Sequence, residues 1–129
     1  MRLDPSKPVL VVDDSSAATE IVCRILKQLG YTNIEAVHDC NVALARLRED
    51  RHPMVIADWN MEPMSGYDLL KEVRSDERLA GIRFIMISAE SSIPHVVAAR
   101  KAHADSYLVK PFSAQSLKAR VNDCVLPSV

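Results

Sequence analysis

Glycine is scarce: there are three in 129 residues. Neither a G-x-G-x-x-G turn nor a P-loop is present, and this argues against a nucleotide-binding or flavin-binding module built on a glycine-rich phosphate cradle. Cysteine is also sparse. Cys23, Cys40 and Cys124 are odd in number, form no C-x-x-C pair, and each falls in a helix-like segment. They read as small buried or half-buried thiols of a reducing compartment, with no disulfide framework. Charge of one sign is missing too. Sixteen basic residues face 17 acidic ones, for a net charge of −1, so no basic field exists for nucleic acid. Long apolar runs are absent. After MRLDPSKP only Val9–Val12 precede two aspartates, which is too short for a signal-peptide core, and no stretch approaches membrane-spanning length. The expectation is a cytoplasmic protein that engages neither membrane nor nucleic acid.

What is present is ordinary globular composition, 48% apolar and 26% charged. A chain of this length can bury a sizeable core without a disulfide or metal staple. Strand-like apolar runs alternate with helix-like periodic segments, five times each. The runs are Val9–Val12, Ile34–Val37, Met54–Ala57, Arg83–Ile87 and Tyr107–Val109. Between them, apolar residues recur at spacings of three and four, as at Ala18, Ile21, Val22, Ile25, Leu26 and Leu29, which places them on one helix face. Gly30 reads as the cap that ends this helix. Asn41–Arg48 carries a narrower stripe. Later helices hold Leu69, Leu70 and Val73, then Ile93, Val96, Val97 and Ala99 with Pro94 in the first turn, and finally Leu117, Val121, Cys124 and Val125. Strict β/α alternation predicts an α/β fold, a parallel sheet covered by helices on both faces. The strands are continuously apolar, as burial on two faces requires. Only the first seven and the last three or four residues look loose.

In an open parallel sheet, ligands sit beyond the carboxyl ends of the strands. Asp13 and Asp14 follow the first strand, Asp58 the third, Ser88 the fourth and Lys110 the fifth. Taken one at a time these are ordinary caps, turn residues and surface charges. Together they bring three carboxylates, a hydroxyl and an ammonium to one edge. Three neighbouring acids repel unless a cation balances them. A hard divalent ion with oxygen ligands is the natural partner, and Mg²⁺ suits one or two carboxylates plus phosphate oxygens. Mg²⁺ and an ammonium are also what a phosphoryl group needs around its oxygens. A carboxylate can receive that group as an acyl phosphate.

VLVVDDS at Val9–Ser15, MVIADWNMEPMSG at Met54–Gly66, FIMISAE at Phe84–Glu90 and YLVKPF at Tyr107–Phe112 resemble, in order and spacing, the receiver domain of two-component response regulators. The likeness covers about Pro8 to Val125, and DWNMEPMSG is especially similar to CheY-like regulators of chemotaxis. The resemblance implies a doubly wound five-stranded parallel sheet of order 2-1-3-4-5, flanked by five helices. It implies one receiver domain over residues 1–129, core about 8–125, with no output domain. It implies Asp58 as phosphoacceptor, and Asp14, Asp58 and the Asn60 backbone carbonyl as Mg²⁺ ligands, with Asp13 reaching the ion partly through water. Ser88 becomes the switch hydroxyl and Lys110 the partner of the phosphoryl group. Pro111 would follow a cis bond, and Tyr107 would be the aromatic rotamer switch. Asn60 and Glu90 match positions that tune dephosphorylation, while Trp59 and Met61 flank the site. A histidine kinase or phosphotransfer protein would be the donor. A downstream target protein would read the face made by the fourth helix, fifth strand and fifth helix. On this reading the protein is a switch rather than an enzyme.

Two departures from the family pattern stand out. His103 occupies a place where glycine is usual, so an irregular turn is expected there. The fourth helix opens AESSIPH and lacks the lysines of chemotaxis regulators. Two alternatives accompany the reading: a phosphate sink that drains a kinase, and a small haloacid-dehalogenase-like phosphotransferase. The latter needs Asp-x-Asp on its first strand, where this chain has Asp13–Asp14–Ser15.

Overall fold

The computed structural model describes residues 6–50 and 52–125, the last of these by its backbone. The looseness expected at the two ends falls, apart from Ser6 and Lys7, outside these residues. The elements are β1 (Val9–Val12), α1 (Ser16–Gln28), β2 (Ile34–Val37), α2 (Cys40–Glu49), β3 (Met54–Asp58), α3 (Gly66–Ser75), β4 (Arg83–Ser88), α4 (Ile93–Lys101), β5 (Ser106–Val109) and α5 (Ala114–Val125). The sheet has the order β2-β1-β3-β4-β5, and every pairing is parallel. The α/β fold and the strand order are those the sequence and its resemblance pointed to.

Side-chain alternation along the strands divides the core in two. Leu10, Val55, Phe84 and Met86 face α2 and α3, packed with Leu44, Leu69 and Val73. Val9, Val11, Ile56 and Ile85 face α1 and α5, packed with Leu26, Leu117 and Val121. The three inner strands therefore bury both faces, which explains their unbroken apolar runs. β2 and β5 lie at the edges, and each buries only one residue, Val37 and Leu108.

Local chemistry sets the helix starts. Ser15 caps α1 by accepting from Ala18 N. Asp39 caps α2, accepting from Asn41 N and Val42 N. Ser65 and Asp68 form a reciprocal capping box at α3. At α4, Ser92 makes no such bond. The apolar pattern of α4 does not map onto a buried face either. Only Ala99 is buried, whereas Ile93 is 77% exposed. The reason is position: α4 lies over edge strand β5 and has little core to enter.

Two helices, α1 and α4, end on a residue of positive φ. Gly30 takes φ +98°, and the bonds Gly30 N to Lys27 O and Tyr31 N to Leu26 O close α1. The irregular turn expected at His103 is instead a regular left-handed cap. His103 takes φ +69°, with His103 N bonded to Arg100 O and Ala104 N to Ala99 O. A side chain with a Cβ is disfavoured there by about 1 kcal/mol. The His103 side chain is exposed, and the backbone alone is used: besides the N–H in the cap, the carbonyl accepts from Arg74 Nε at 2.9 Å. His103→Gly is therefore expected to stabilise the fold by up to about 1 kcal/mol, raising Tm by a few degrees. A fall in Tm on thermal denaturation would contradict this.

Candidate functional site

The carboxyl ends of β1, β3, β4 and β5 place the predicted residues together. Asp13 and Asp58 are buried, Asp14 is exposed, and Ser88 is buried on the last residue of β4. One carboxylate oxygen from each of Asp13, Asp14 and Asp58 lies within 4.8 Å of the other two. Lys110 Nζ stands 3.3 Å from Asp13 Oδ2, to which it donates, and 3.1 Å from Asp58 Oδ1. Its alignment serves Asp13. Asp58 Oδ1 is held by the Lys110 ammonium as an ion pair, and it is the buried side-chain oxygen among the described residues that lacks a well-aligned hydrogen-bond donor.

One ammonium does not balance three neighbouring carboxylates, so the site has room for a further cation. Burial pushes the Asp58 carboxyl up from its usual range. Lys110 pulls it down, while Asp13 and Asp14 add to the rise. Burial alone would pull Lys110 down, but its contacts with Asp58 and Asp13 outweigh that and hold its ammonium above the ordinary lysine value. The donor set, three carboxylates with one buried oxygen lacking a well-aligned donor, fits a hard cation with oxygen ligands.

The raised Asp58 value has a consequence for stability. The folded state holds that proton more tightly than the unfolded chain. The contribution of Asp58 to stability is present below the ordinary value of 3.8 and is lost as pH rises through the raised one. In EDTA at neutral pH, Asp58→Asn is expected to stabilise the protein, and the gain should vanish near pH 3. Paired thermal melts at the two pH values check this. A destabilised variant at neutral pH would contradict it.

Ser88 Oγ accepts from Glu90 N at 3.0 Å, and Tyr107 Oη donates to Glu90 O at 2.6 Å. The two residues thus grip opposite ends of one backbone unit. Lys110 N donates to Ser88 O, which fixes the fifth strand end against the fourth. The Lys110–Pro111 bond is cis, as the resemblance implied, and so is Glu62–Pro63. Asn60 lies exposed in the loop after β3, and Met61 is buried against Cys40, whose thiol is pushed up to about 12 by burial.

Residues 9–122 match the response regulator receiver domain. The chain belongs to that family. The receiver is 39% identical over 113 residues to the chemotaxis protein CheY of Pseudomonas aeruginosa, covering 88% of this chain and 91% of that one. It is 38% identical over 120 residues to CheY-3 of Vibrio cholerae, covering 93% and 92%. Its structure is similar to that of V. cholerae CheY4, with a TM-score of 0.85 and 30% identity over 94% of this chain and 99% of that chain. The receiver is therefore a CheY-like response regulator of two-component signalling, and the family match favours this over the haloacid-dehalogenase alternative.

Sequence reading missed four features of the receiver. Gly66 opens α3 directly against the strand end, donating from its N–H to Trp59 O. A Cβ there would collide with the Asp58 carbonyl. With only three glycines in the chain, its place in the DWNMEPMSG run was the available signal. Trp59 is ringed by Tyr67, His95 and Tyr107, with centroids 4.9, 4.8 and 6.4 Å away. At the opposite end of the sheet, Arg74 donates to the carbonyls of Ala80, Ile82 and His103 and to Asp105 Oδ2. Buried His52 lies between Glu35 Oε1 and Asp50 O. The last two arrangements are long-range and carry no local motif.

Proposed function

We propose that Asp58 accepts a phosphoryl group, with Mg²⁺ held by Asp14, Asp58 and the Asn60 carbonyl, and by Asp13 partly through water. The observation that carries this is the buried Asp58 carboxylate, set among two further carboxylates and ion-paired with Lys110. Asp58 is the buried acid whose Oδ1 is charge-paired yet has no well-aligned donor, which suits a nucleophile. Bound Mg²⁺ would neutralise charge on the phosphoryl oxygens.

The chain's own groups supply the rest. An Asp58 oxygen attacks phosphorus, and the bond to the donor breaks. In a phosphohistidine donor that bond is P–N, its electron pair stays on the imidazole nitrogen, and a solvent proton completes the ring. Lys110, already between Asp13 and Asp58, balances the negative charge that accumulates. Ser88 turns its hydroxyl from Glu90 N toward the new group, which releases one of the two bonds at Glu90. Tyr107, bonded to the other end of Glu90, then changes its rotamer. The altered face of α4, β5 and α5 binds a downstream target protein. A histidine kinase or phosphotransfer protein is the donor, and the relatives' names make chemotaxis the pathway to test first. The protein acts as a switch rather than as an enzyme upon a metabolite, within one receiver domain over residues 1–129. Among the described residues no helix is long and apolar enough to cross a membrane, and we place the protein in the cytoplasm with no membrane or nucleic-acid partner.

The test is intact-protein mass spectrometry after incubation with Mg²⁺ and acetyl phosphate, then with a phosphorylated histidine kinase, beside Asp58→Ala. One labile phosphoryl adduct is expected, absent in EDTA and absent in the variant. An adduct that survives in Asp58→Ala, or none from either donor, would contradict the reading.

A further inference from the structure

α4 is held in an uneven way. Its C-terminal end is latched: the left-handed cap at His103 is braced by Arg74, which also grips Asp105 at the start of β5. No residue of its N-terminal half is fully buried, and only His95 and Val96 are half-buried. Ser92 does not cap the helix, Ile93 and Pro94 are exposed, and the only buried residue of the helix is Ala99, two turns further on. Val96 turns toward β5, and His95 is the first-turn side chain that reaches Trp59. Its ring lies 4.8 Å from Trp59, tilted by 49°. Ser92 Oγ stands 3.1 Å from His95 Nδ1 and fixes the ring's orientation.

Trp59 is the residue immediately after Asp58, and its N–H is bonded to Ile87 O on β4. Its indole stacks on Tyr67 of α3 at 8° and meets Tyr107 of β5 edge-on. The indole is therefore backed on one side by a fixed helix and touched on the others by the two elements expected to move. Ring pairs of this kind have enough energy to bias a small helix displacement, and too little to lock it.

We propose that His95 is a positioning residue of the switch. Its ring clasps the free end of α4 to Trp59, so that a change at Asp58 reaches α4 through Trp59–His95 as well as through Ser88–Tyr107. This rests on the reading of Asp58 as phosphoacceptor. His95 touches neither the phosphoryl group nor its ligands, so its loss alters what α4 does and leaves the chemistry alone.

The experiment compares wild type, His95→Ala and His95→Phe in the full chain, with and without phosphorylation by acetyl phosphate and Mg²⁺. Adduct yield is followed by mass spectrometry, hydrogen exchange is read across residues 93–101, and emission is read from Trp59, the sole tryptophan. His95→Ala should take up phosphoryl as wild type does. Its α4 amides should exchange roughly two- to tenfold faster before phosphorylation. The difference between the phosphorylated and unphosphorylated states, in both exchange and emission, should shrink. His95→Phe keeps a ring on Trp59 and should restore both. If His95→Ala is phosphorylated and its α4 responds as in wild type, or if His95→Phe fails to restore the response, the inference is overturned and the Asp58 reading stands. If wild type takes no adduct from this donor or from a phosphorylated kinase, the Asp58 reading falls and the inference with it.

Discussion

Gly66→Ala should be among the most damaging single-methyl additions the chain can suffer. The new Cβ would meet the carbonyl oxygen and carbon of Asp58, and Trp59 Cα close behind them. These are backbone atoms of a central strand end, so no rotamer change relieves the collision. Either α3 lifts off or the Asp58 peptide shifts. Overpacking of this kind costs about 3 kcal/mol. It also moves the one carboxylate whose placement matters most, so the rate of phosphoryl uptake should fall with stability. Gly81→Ala is the control, because nothing lies within 4 Å of a Cβ there, and its effect should stay within about 0.5 kcal/mol. Urea denaturation of the two variants gives the comparison. Equal midpoints would show that the strand end yields more easily than its burial suggests.

Lys110→Ala should spare the fold more than the chemistry. Among the described residues, Lys110 is the only cationic side chain within ion-pair distance of Asp13 or Asp58. Without it three carboxylates face one another and Asp58 loses the group that holds its pKa down. The phosphoryl oxygens lose an ammonium aimed where charge accumulates. Removal of one such preorganised group typically costs about 10²- to 10³-fold in rate, and phosphoryl uptake should fall by that order at fixed Mg²⁺. Lys110→Arg keeps the charge and alters its geometry, so it should fall between. Uptake by Lys110→Ala at the wild-type rate would remove the lysine from the mechanism.

Much of this was written in local sequence, for a physical reason. The inner strands are buried on two faces, so β1 reads as Val9–Val12 in both sequence and structure, and β3 and β4 run one residue further, onto Asp58 and Ser88, because their ladder pairing continues to the site. The site residues were legible because parallel βα units deliver strand ends to one edge. α4 was legible as a helix but not in its burial, since Ile93 and Val97 repeat with the right period yet have no core opposite them. Contacts that join distant segments left no trace in any window. The four acceptors gathered by Arg74, the carbonyl of Asp58 against Gly66, and His95 on Trp59 each depend on two or more elements arriving first.

The measurement closest to the central claim asks which side chain carries the phosphoryl group. Borohydride reduces an aspartyl phosphate to homoserine and leaves free carboxylates untouched. The receiver, phosphorylated with Mg²⁺ present, would be reduced, digested and sequenced by mass spectrometry. Homoserine at position 58 alone is the predicted result. Homoserine at position 13 or 14, with aspartate retained at 58, would contradict the account.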